Sequence, residues 1–528
     1  MGKRFSSSTP PLPPSSQLLK WFIYDDWWCN PVGWLVHMVM IWPIKAILPL
    51  TCLGLVWRVF NDARIGLNLW NIHAALELSF FIWYLYHKNA LNAAKATSDE
   101  YEYVLDRQKF NPEATLEENI RFYDDLLRGV GDKYTLRREE IVKWFCDAKG
   151  NKPGKLEEVR ETDIKSWLAW AFFRKDYYRR AEEVEEECGE ELGRMVRMVE
   201  GWINYKFLPG RSQDVTPIRL SLDDIRSVPH PLIHYVVTHF GCVSAASLCF
   251  KMRGFTNKTV GGVDFWIKEA QKGEGDSGPA IVVISGIGIG LVAYMKMIDS
   301  LLETYPERKF ILSDLPEYSM RLTLEVNIVT PRDRASALAA IIGEGGAHVI
   351  AHSLGSVVIS WLIRLAPEHI VRGCTFIDPV CFFLFNSSVA ANFCYRTPRT
   401  PLDCLVSYFV GKELYVSNAL HRHFRWDLNA LRPQMLDGIP TAVILADHDH
   451  FVPSFAIERV LAANAKHVRV TTLKDHSHSQ FCVVPSSTAK IIEEIKIVDK
   501  EMNLKVEGIA GGKKIVRVRS RSVKRRMN

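Results

Sequence analysis

Three clusters of residues in this 528-residue chain have the types and spacing for nucleophilic acyl chemistry. The first is Ala351-His352-Ser353-Leu354-Gly355, which follows a short apolar run (Val349, Ile350) and precedes a helix-like apolar run from Val357 to Ile363. A serine on so sharp a strand-to-helix turn is lifted clear of the sheet with unusual backbone angles, and small neighbours relieve the crowding. The pattern is G-x-S-x-G with alanine at the first glycine position, the mildest replacement for it. The second cluster, Asp447-His448-Asp449-His450, ends the apolar run 442–446. The third, Asp475-His476-Ser477-His478, ends the next run, 468–473. A serine hydroxyl is a poor nucleophile at neutral pH. It needs an imidazole to take its proton, and the imidazole needs a carboxylate to fix its tautomer. The parts are all here, with Asp447 or Asp449 and His476 or His478 open as partners of Ser353.

The elements that must position these residues follow from the rhythm of the chain beyond Pro279. Strands are expected over Ala280–Ser285, Phe310–Asp314, His348–Ala351, Cys374–Asp378, Ala442–Ala446 and Val468–Leu473, most of them separated by helical patterns. That alternation predicts a mostly parallel sheet with helices on both faces. The interval from Val380 to about Arg432 breaks the rhythm and is rich in aromatics (Phe382, Phe383, Phe385, Phe393, Tyr395, Tyr408, Phe409), so an insertion there is expected to cap the site.

Residues of about 279–497 resemble the α/β-hydrolase fold. Gly286-Ile-Gly-Ile-Gly-Leu-Val-Ala-Tyr294 with Ser319-Met-Arg-Leu-Thr323 resembles eukaryotic membrane-attached members of it. In that fold the nucleophile, acid and base follow in the order Ser, Asp, His. The family's G-x-x-D-x-x-x-P turn maps Asp449 to the acid, with Asp447 in reserve. Its H-x-x-F…P loop maps His478 to the base, with His476 in reserve. The resemblance further implies an oxyanion hole from the backbone N–H groups of Leu354 and Ile287. Ser285 stands where that second loop usually carries histidine. The activity implied is acylation of Ser353, then transfer of the acyl group to water or another acceptor.

Ahead of this region lies apolar chain of membrane type. Val32 to Trp57 carries Lys45 as its one charge and is long enough to cross a bilayer; Pro43 and Pro49 are tolerable there. A second stretch, Ile65 to Tyr86, is expected to span beside it or to lie in the interface. Trp and Tyr residues edge both, as an aromatic belt would. If both span, Lys3, Arg4, Lys20, Lys88 and Lys95 oppose Arg58 and Arg64, which favours cytosolic termini. The expected organisation is a Ser/Pro-rich disordered and juxtamembrane N-terminus over 1–30 and one or two transmembrane or interfacial helices over 31–88. A helical connector over 89–250 follows, then an α/β-hydrolase domain over 251–498 with its cap at about 380–432, and a basic disordered tail over 499–528.

Net charge is +6, but the last sixteen residues hold eight positive charges and no acid, so the rest of the chain carries −2. The basic pI therefore describes a tail and is no sign of a nucleic-acid-binding core, and it suits attraction of the tail to anionic lipid. Eleven scattered cysteines without C-x-x-C fit a reducing compartment. His230, His234 and His239 lack metal-site spacing. Three other readings compete. A reductase would bind a dinucleotide at Gly288-Ile-Gly290-Leu-Val-Ala293 with Asp314 on the ribose. A metal-dependent hydrolase would use Asp447, His448, Asp449, His450, His476 and His478. A catalytically impaired scaffold would keep the fold without the chemistry. The reading carried forward is a membrane-anchored serine hydrolase of carboxylic esters, acting on lipid or other apolar acyl groups. It needs no cofactor or metal and no nucleic acid, and it would sit on an endomembrane such as the endoplasmic reticulum with its catalytic domain in the cytosol.

Overall fold

Apolar runs that are buried on both faces assemble the centre of the molecule. The computed structural model describes residues 31–60, 69–93, 112–126, 133–147, 154–270, 278–322, 328–384, 389, 391–395, 398 and 400–510. Expectations for residues 1–30 and for the basic residues 513–526 lie outside them. The chain enters through an apolar helix, α1 (Trp42–Phe60), which continues the turns of 31–41. A second helix, α2 (Leu69–Ala93), lies beside it, and Arg58 Nη1 donates to Asn71 Oδ1 at 2.9 Å.

The described residues between 112 and 231 form a helical unit with its own buried cluster around Trp167, Leu168, Leu192 and Val199. Its longest helix is α3 (Ala181–Ile203), and it includes a two-stranded ribbon pairing Phe145–Asp147 with Val215–Pro217. The acidic run 182–191 lies on α3 with Val184 inward and most of the acids outward, as an amphipathic helix requires. A third apolar helical segment starts at Leu232 and ends in α4 (Val243–Met252), directly before the sheet.

The sheet has eight strands: β1 (Thr256–Val260), β2 (Val263–Lys268), β3 (Ala280–Ile284), β4 (Phe310–Ser313), β5 (Ala347–His352), β6 (Val371–Ile377), β7 (Thr441–Ala446) and β8 (Arg469–Leu473). Their order is β8-β7-β6-β5-β3-β4-β2-β1. The pairs β1–β2 and β2–β4 are antiparallel and the others parallel. This is the α/β-hydrolase fold: a mostly parallel sheet with an antiparallel second strand and helices on both faces. The hairpin β1–β2, turning at Gly261-Gly262, falls outside the alternating strand pattern expected from Pro279 onward; its two consecutive glycines both take positive φ.

Helices α5 (Met295–Thr304), α6 (Pro331–Ile342), α7 (Ser356–Leu365), α8 (Ser454–Asn464) and α9 (Pro485–Ala510) cover the sheet. Alternate residues of β3 feed the two covers. Val282 and Ile284 join Leu338, Val358 and Ile457 on one face, while Ile281 and Val283 join Ile298, Leu301 and Ile495 on the other. The expected tail boundary at 499 is too early. Helix α9 runs on to Ala510, Asp499 pairs with Arg308 (Nη2 to Oδ2 2.9 Å), and Met502 is buried.

Between β6 and β7 the described residues from Cys381 to Leu436 form a series of short helical turns. Its aromatics divide by position. Phe382 and Phe383 sink into the main core, Phe393 lines a cavity, and Tyr395 Oη donates to Asp223 Oδ2 at 2.7 Å, fastening this insertion to the helical unit. Tyr408 and Phe409 face away from the cavity, toward Ile41 and Ile44 ahead of and within α1.

The turn after β5 passes so close to β3 that no side chain fits. A Cβ on Gly355 would lie 2.6 Å from the Ser285 carbonyl oxygen and 3.0 Å from that of Ile284. Gly201, by contrast, sits in α3 with no atom within 4 Å of such a carbon. Gly355→Ala is therefore expected to cost about 1–3 kcal/mol through overpacking. Gly201→Ala should gain about 0.5–1 kcal/mol from reduced backbone entropy. Thermal midpoints in detergent micelles should move in opposite directions for the two variants.

Candidate active site

Residues 347–352 form β5 at the middle of the sheet, with Ala351 paired to Ile284 of β3 and Phe376 of β6. The strand ends at His352, and Ser353 takes a left-handed backbone with φ +51°. A non-glycine residue there is strained and persists only where its surroundings impose it. Ala351 fits because its methyl points into the main core, where it is 1% exposed.

The loop after β8 brings His478 over this turn. His478 Nε2 lies 2.9 Å from Ser353 Oγ, and His478 Nδ1 lies 2.6 Å from Asp449 Oδ2. Asp449 comes from the turn after β7. Its Oδ1 accepts the N–H groups of Phe451 at 2.8 Å and Val452 at 2.9 Å, so the buried carboxylate is satisfied on both oxygens. The arrangement fixes the tautomer: Nδ1–H donates to Asp449, leaving Nε2 to accept from Ser353. The structure thus brings Ser353, Asp449 and His478 together and keeps the other two candidates apart from them. Asp447 Oδ1 accepts from the His476 N–H at 3.1 Å, while the His476 ring sits between the Lys474 carbonyl and Ser487 Oγ.

Ser353, Leu354, Ile287 and His478 share the wall of a cavity of about 440 Å³. Most of the remaining lining is apolar and comes from the β6–β7 insertion, including Phe393, Leu402, Val406 and Phe424. That size and character suit a small apolar ligand. The Ser285 side chain, at the position where histidine is usual, turns away from the cavity: its Oγ donates to Asp314 Oδ1 at 2.7 Å. Asp314 also accepts from the Leu315 N–H at 3.0 Å and pairs with Arg321. It is therefore engaged where a dinucleotide site would need it for ribose. The chain also makes a tight turn over Gly290–Tyr294 before α5 begins, so the glycines do not open the helix, as phosphate binding on the Gly-rich fingerprint requires.

Three residues that the motifs did not single out support His478, two beside it and Tyr294 through one of them. Asp378, at the end of β6, is 1% exposed. Its Oδ1 accepts the Ala446 N–H at 2.8 Å and its Oδ2 the Ser479 N–H at 3.2 Å. It was visible as the terminal acid of an expected parallel strand, where functional groups collect. Tyr294 and His352 had no such signal. Tyr294 Oη accepts the Gly286 N–H at 2.9 Å and lies 2.7 Å from His352 Nδ1. The tyrosine's own proton then goes to Nδ1, so His352 Nε2–H points at Ser479 Oγ, 3.1 Å away. A hydrogen-bonded chain therefore runs from the Gly286–Gly290 loop to the His478 loop, behind Ser353.

The electrostatics follow from burial and these acids. Burial alone would lower the pKa of His478, but the charge of Asp449, the hydrogen bond to it and the charge of Asp378 outweigh this and leave it raised. Burial first, then the charge on Asp449, pushes the Asp378 carboxyl well above its usual range. Burial holds His352 far below an ordinary histidine and keeps it neutral, with the charge of His478 adding to this. His352, Asp378 and His478 place possible metal-ligand atoms within 4.8 Å of one another. Both nitrogens of each of the two imidazoles are already in the hydrogen bonds given above. This trio is also not the Asp447–His450 and His476–His478 grouping considered from the sequence.

No family model matches the chain, and no curated protein matches it. Solved structures similar to it include a membrane phospholipase A described as a bacterial virulence factor (16% identity, 50% of this chain and 94% of that one, TM-score 0.37). Others are naproxen esterase from Bacillus subtilis (11%, 48% and 97%, TM-score 0.35) and an epoxide hydrolase from Vigna radiata (14%, 46% and 99%, TM-score 0.32). These likenesses are distant, and the fold assignment rests on the strand order itself: residues 256–510 have the α/β-hydrolase fold.

Proposed function

We propose that this protein is a membrane-attached serine hydrolase that cleaves carboxylic esters of lipids or other apolar acyl groups. The observation that carries the reading is the unbroken line Ser353–His478–Asp449 opening on an apolar cavity. Ser353 Oγ attacks the ester carbonyl carbon while its proton passes to His478 Nε2. The oxyanion is held by the N–H groups of Leu354 and Ile287. Collapse of the tetrahedral species breaks the ester C–O bond, and the departing alkoxide takes the proton from His478, leaving an acyl-serine. Water, deprotonated by the same nitrogen, then releases the acid and restores Ser353. Asp449 keeps Nδ1 protonated and stabilises the imidazolium. The 25-residue apolar stretch Trp34–Arg58 supports attachment to a membrane.

Ser353→Ala should abolish both ester turnover and labelling by a fluorophosphonate probe; hydrolysis at the unchanged rate in that variant sinks the proposal. Asp449→Asn should lower kcat by about 10⁴, the loss expected when the base is left in the wrong tautomer. Asp447→Asn should stay within a few-fold of the parent.

The base works only when neutral, and its raised pKa keeps it protonated to higher pH than an ordinary histidine. The acid limb of kcat/KM should therefore have its midpoint above 6.5, the value for an unperturbed histidine. Asp378→Asn removes one of the charges that raise this pKa, so the limb should move to lower pH. A profile that stays in place, or moves upward, would show that Asp378 does not act on His478 through its charge.

A further inference from the structure

The segment Leu232–Met252 has its apolar side on the outside. Its inner side is fastened along its length. The Leu232 N–H donates to Glu77 Oε2 at 3.0 Å and Tyr235 Oη donates to Glu413 Oε1 at 2.7 Å. Thr238 Oγ1 lies 3.0 Å from the Met320 carbonyl, and Phe250 packs edge-on against Phe255 in the sheet's core. The outer side carries Ile233, Val236, Val237, Phe240, Leu248 and Met252, all more than 40% exposed. Ile233, Val236, Val237 and Phe240 recur at three and four residues, Leu248 and Met252 continue the same side two turns on, and the segment's single charged residue is Lys251. A helix resting on a domain in water would show the reverse pattern.

We infer that Leu232–Met252 is a membrane-docking helix that lies flat in the bilayer interface and seats the hydrolase-fold domain on the lipid. Three observations choose a bilayer as the occupant. Only 17% of the apolar window is buried, so this is not a core helix, and it lies too far along the chain to be a signal sequence. Tyr235, Thr238 and Phe250 are bound to the hydrolase-fold domain and Leu232 to α2, so its length of about 31 Å runs along the membrane and not through it. The segment's inner side also meets α2, where Phe80 packs edge-on to Tyr235 with ring centroids 5.2 Å apart. Twenty-four of the thirty large apolar side chains exposed among the described residues lie on 34–60, 69–86 or 233–252. The Trp34–Arg58 stretch is bare on almost all sides, which one protein partner would not cover and a bilayer does.

Docking reaches the candidate site through two hydrogen bonds. Thr238 holds the Met320 carbonyl, and the neighbouring Tyr318 carbonyl accepts the Gly288 N–H at 3.1 Å, one residue from Ile287. The helix would thus set the cavity against lipid and favour esters resident in the membrane. That consequence rests on the proposed hydrolase activity, whereas the docking does not.

The test uses the full chain reconstituted in phosphatidylcholine vesicles containing a phospholipid with an acyl-chain diazirine. After irradiation, peptides over 233–252 should carry lipid adducts, as should those over 34–58. Phe240→Glu with Leu248→Glu should reduce the 233–252 adducts at least fivefold and leave those over 34–58 unchanged. The same double variant should hydrolyse a water-soluble short-chain ester within twofold of the parent and a vesicle-embedded ester at least tenfold more slowly. Adducts over 34–58 with none over 233–252 above the level of α3 would overturn the docking helix. So would cross-linking of two chains through 233–252 in its place. Equal rates on the vesicle ester would overturn the preference for membrane-resident substrate. Failure of the parent on every ester would instead count against the hydrolase reading, and the adducts would still decide the docking.

Discussion

The left-handed backbone at Ser353 is the constraint on which the rest of the site depends. A serine held at φ +51° costs of order 1–3 kcal/mol, which a flexible loop would release by relaxing. Here it cannot relax. β5 is locked between β3 and β6 on one side of the turn, and the backbone of Gly355 is pressed against the β3 carbonyls on the other. Ser356 closes the turn, since its Oγ donates to the Ser353 carbonyl at 2.6 Å and lies within reach of the Val380 and Cys381 N–H groups. The insertion between β6 and β7 therefore starts from the elbow itself. Any movement at its root is felt at the serine.

A second constraint is the burial of one imidazole between two carboxylates. Asp449 orients the ring by a direct bond, while Asp378 adds charge without touching it and pins the backbone of Ser479. Two acids beside one base could trap it in the protonated form. The upward shift of the Asp378 carboxyl, from burial first and then the charge on Asp449, works against this, because it makes a second full charge beside the ring costly. The neutral His352 completes the arrangement: through Tyr294 and Ser479 it ties the loop that carries Ile287 to the loop that carries His478. Donors for an oxyanion and a base for its proton are then placed by one continuous set of hydrogen bonds.

What was legible in the sequence was whatever depends on local pattern. The six expected strands appear within a few residues of their expected limits, five of them as runs buried on both faces and the edge strand β8 with only Leu473 buried. Ser353 could be singled out because a strained turn demands small neighbours, and the acid and base clusters because they end successive strands. Other features depend on chain brought together from far apart. No spacing rule links Tyr294 to His352 or Asp378 to Ser479. The choice between Asp447 and Asp449 turns on which carboxylate two backbone N–H groups clasp. The docking stripe was hidden for a similar reason. As a string, Leu232–Met252 reads as one more helix of the connector, and only its burial tells which side is outward.

The insertion between β6 and β7 joins the two halves of the molecule, because one of its segments serves both. Leu402, Val406 and Val410 recur every fourth residue and line the cavity beside Ser353. Cys404, Leu405, Tyr408 and Phe409 lie on the opposite side, packed with Ile41 and Ile44 at the start of the apolar entry helix. Apart from Asp403 and Ser407 the segment is apolar on both of these sides, so it gains little from water. It is stable only between two apolar environments, a packed entry helix on one side and an acyl-sized cavity on the other. The wall between the candidate site and the apolar entry helix is thus a single helix thick, and the polar groups on it are held locally, Asp403 by His450 at 3.3 Å and Lys45 over the Tyr408 ring. On the proposed function, so thin a wall shortens the distance an acyl chain travels between bilayer and cavity, and each methylene kept from water on that path avoids a cost of about 0.8 kcal/mol.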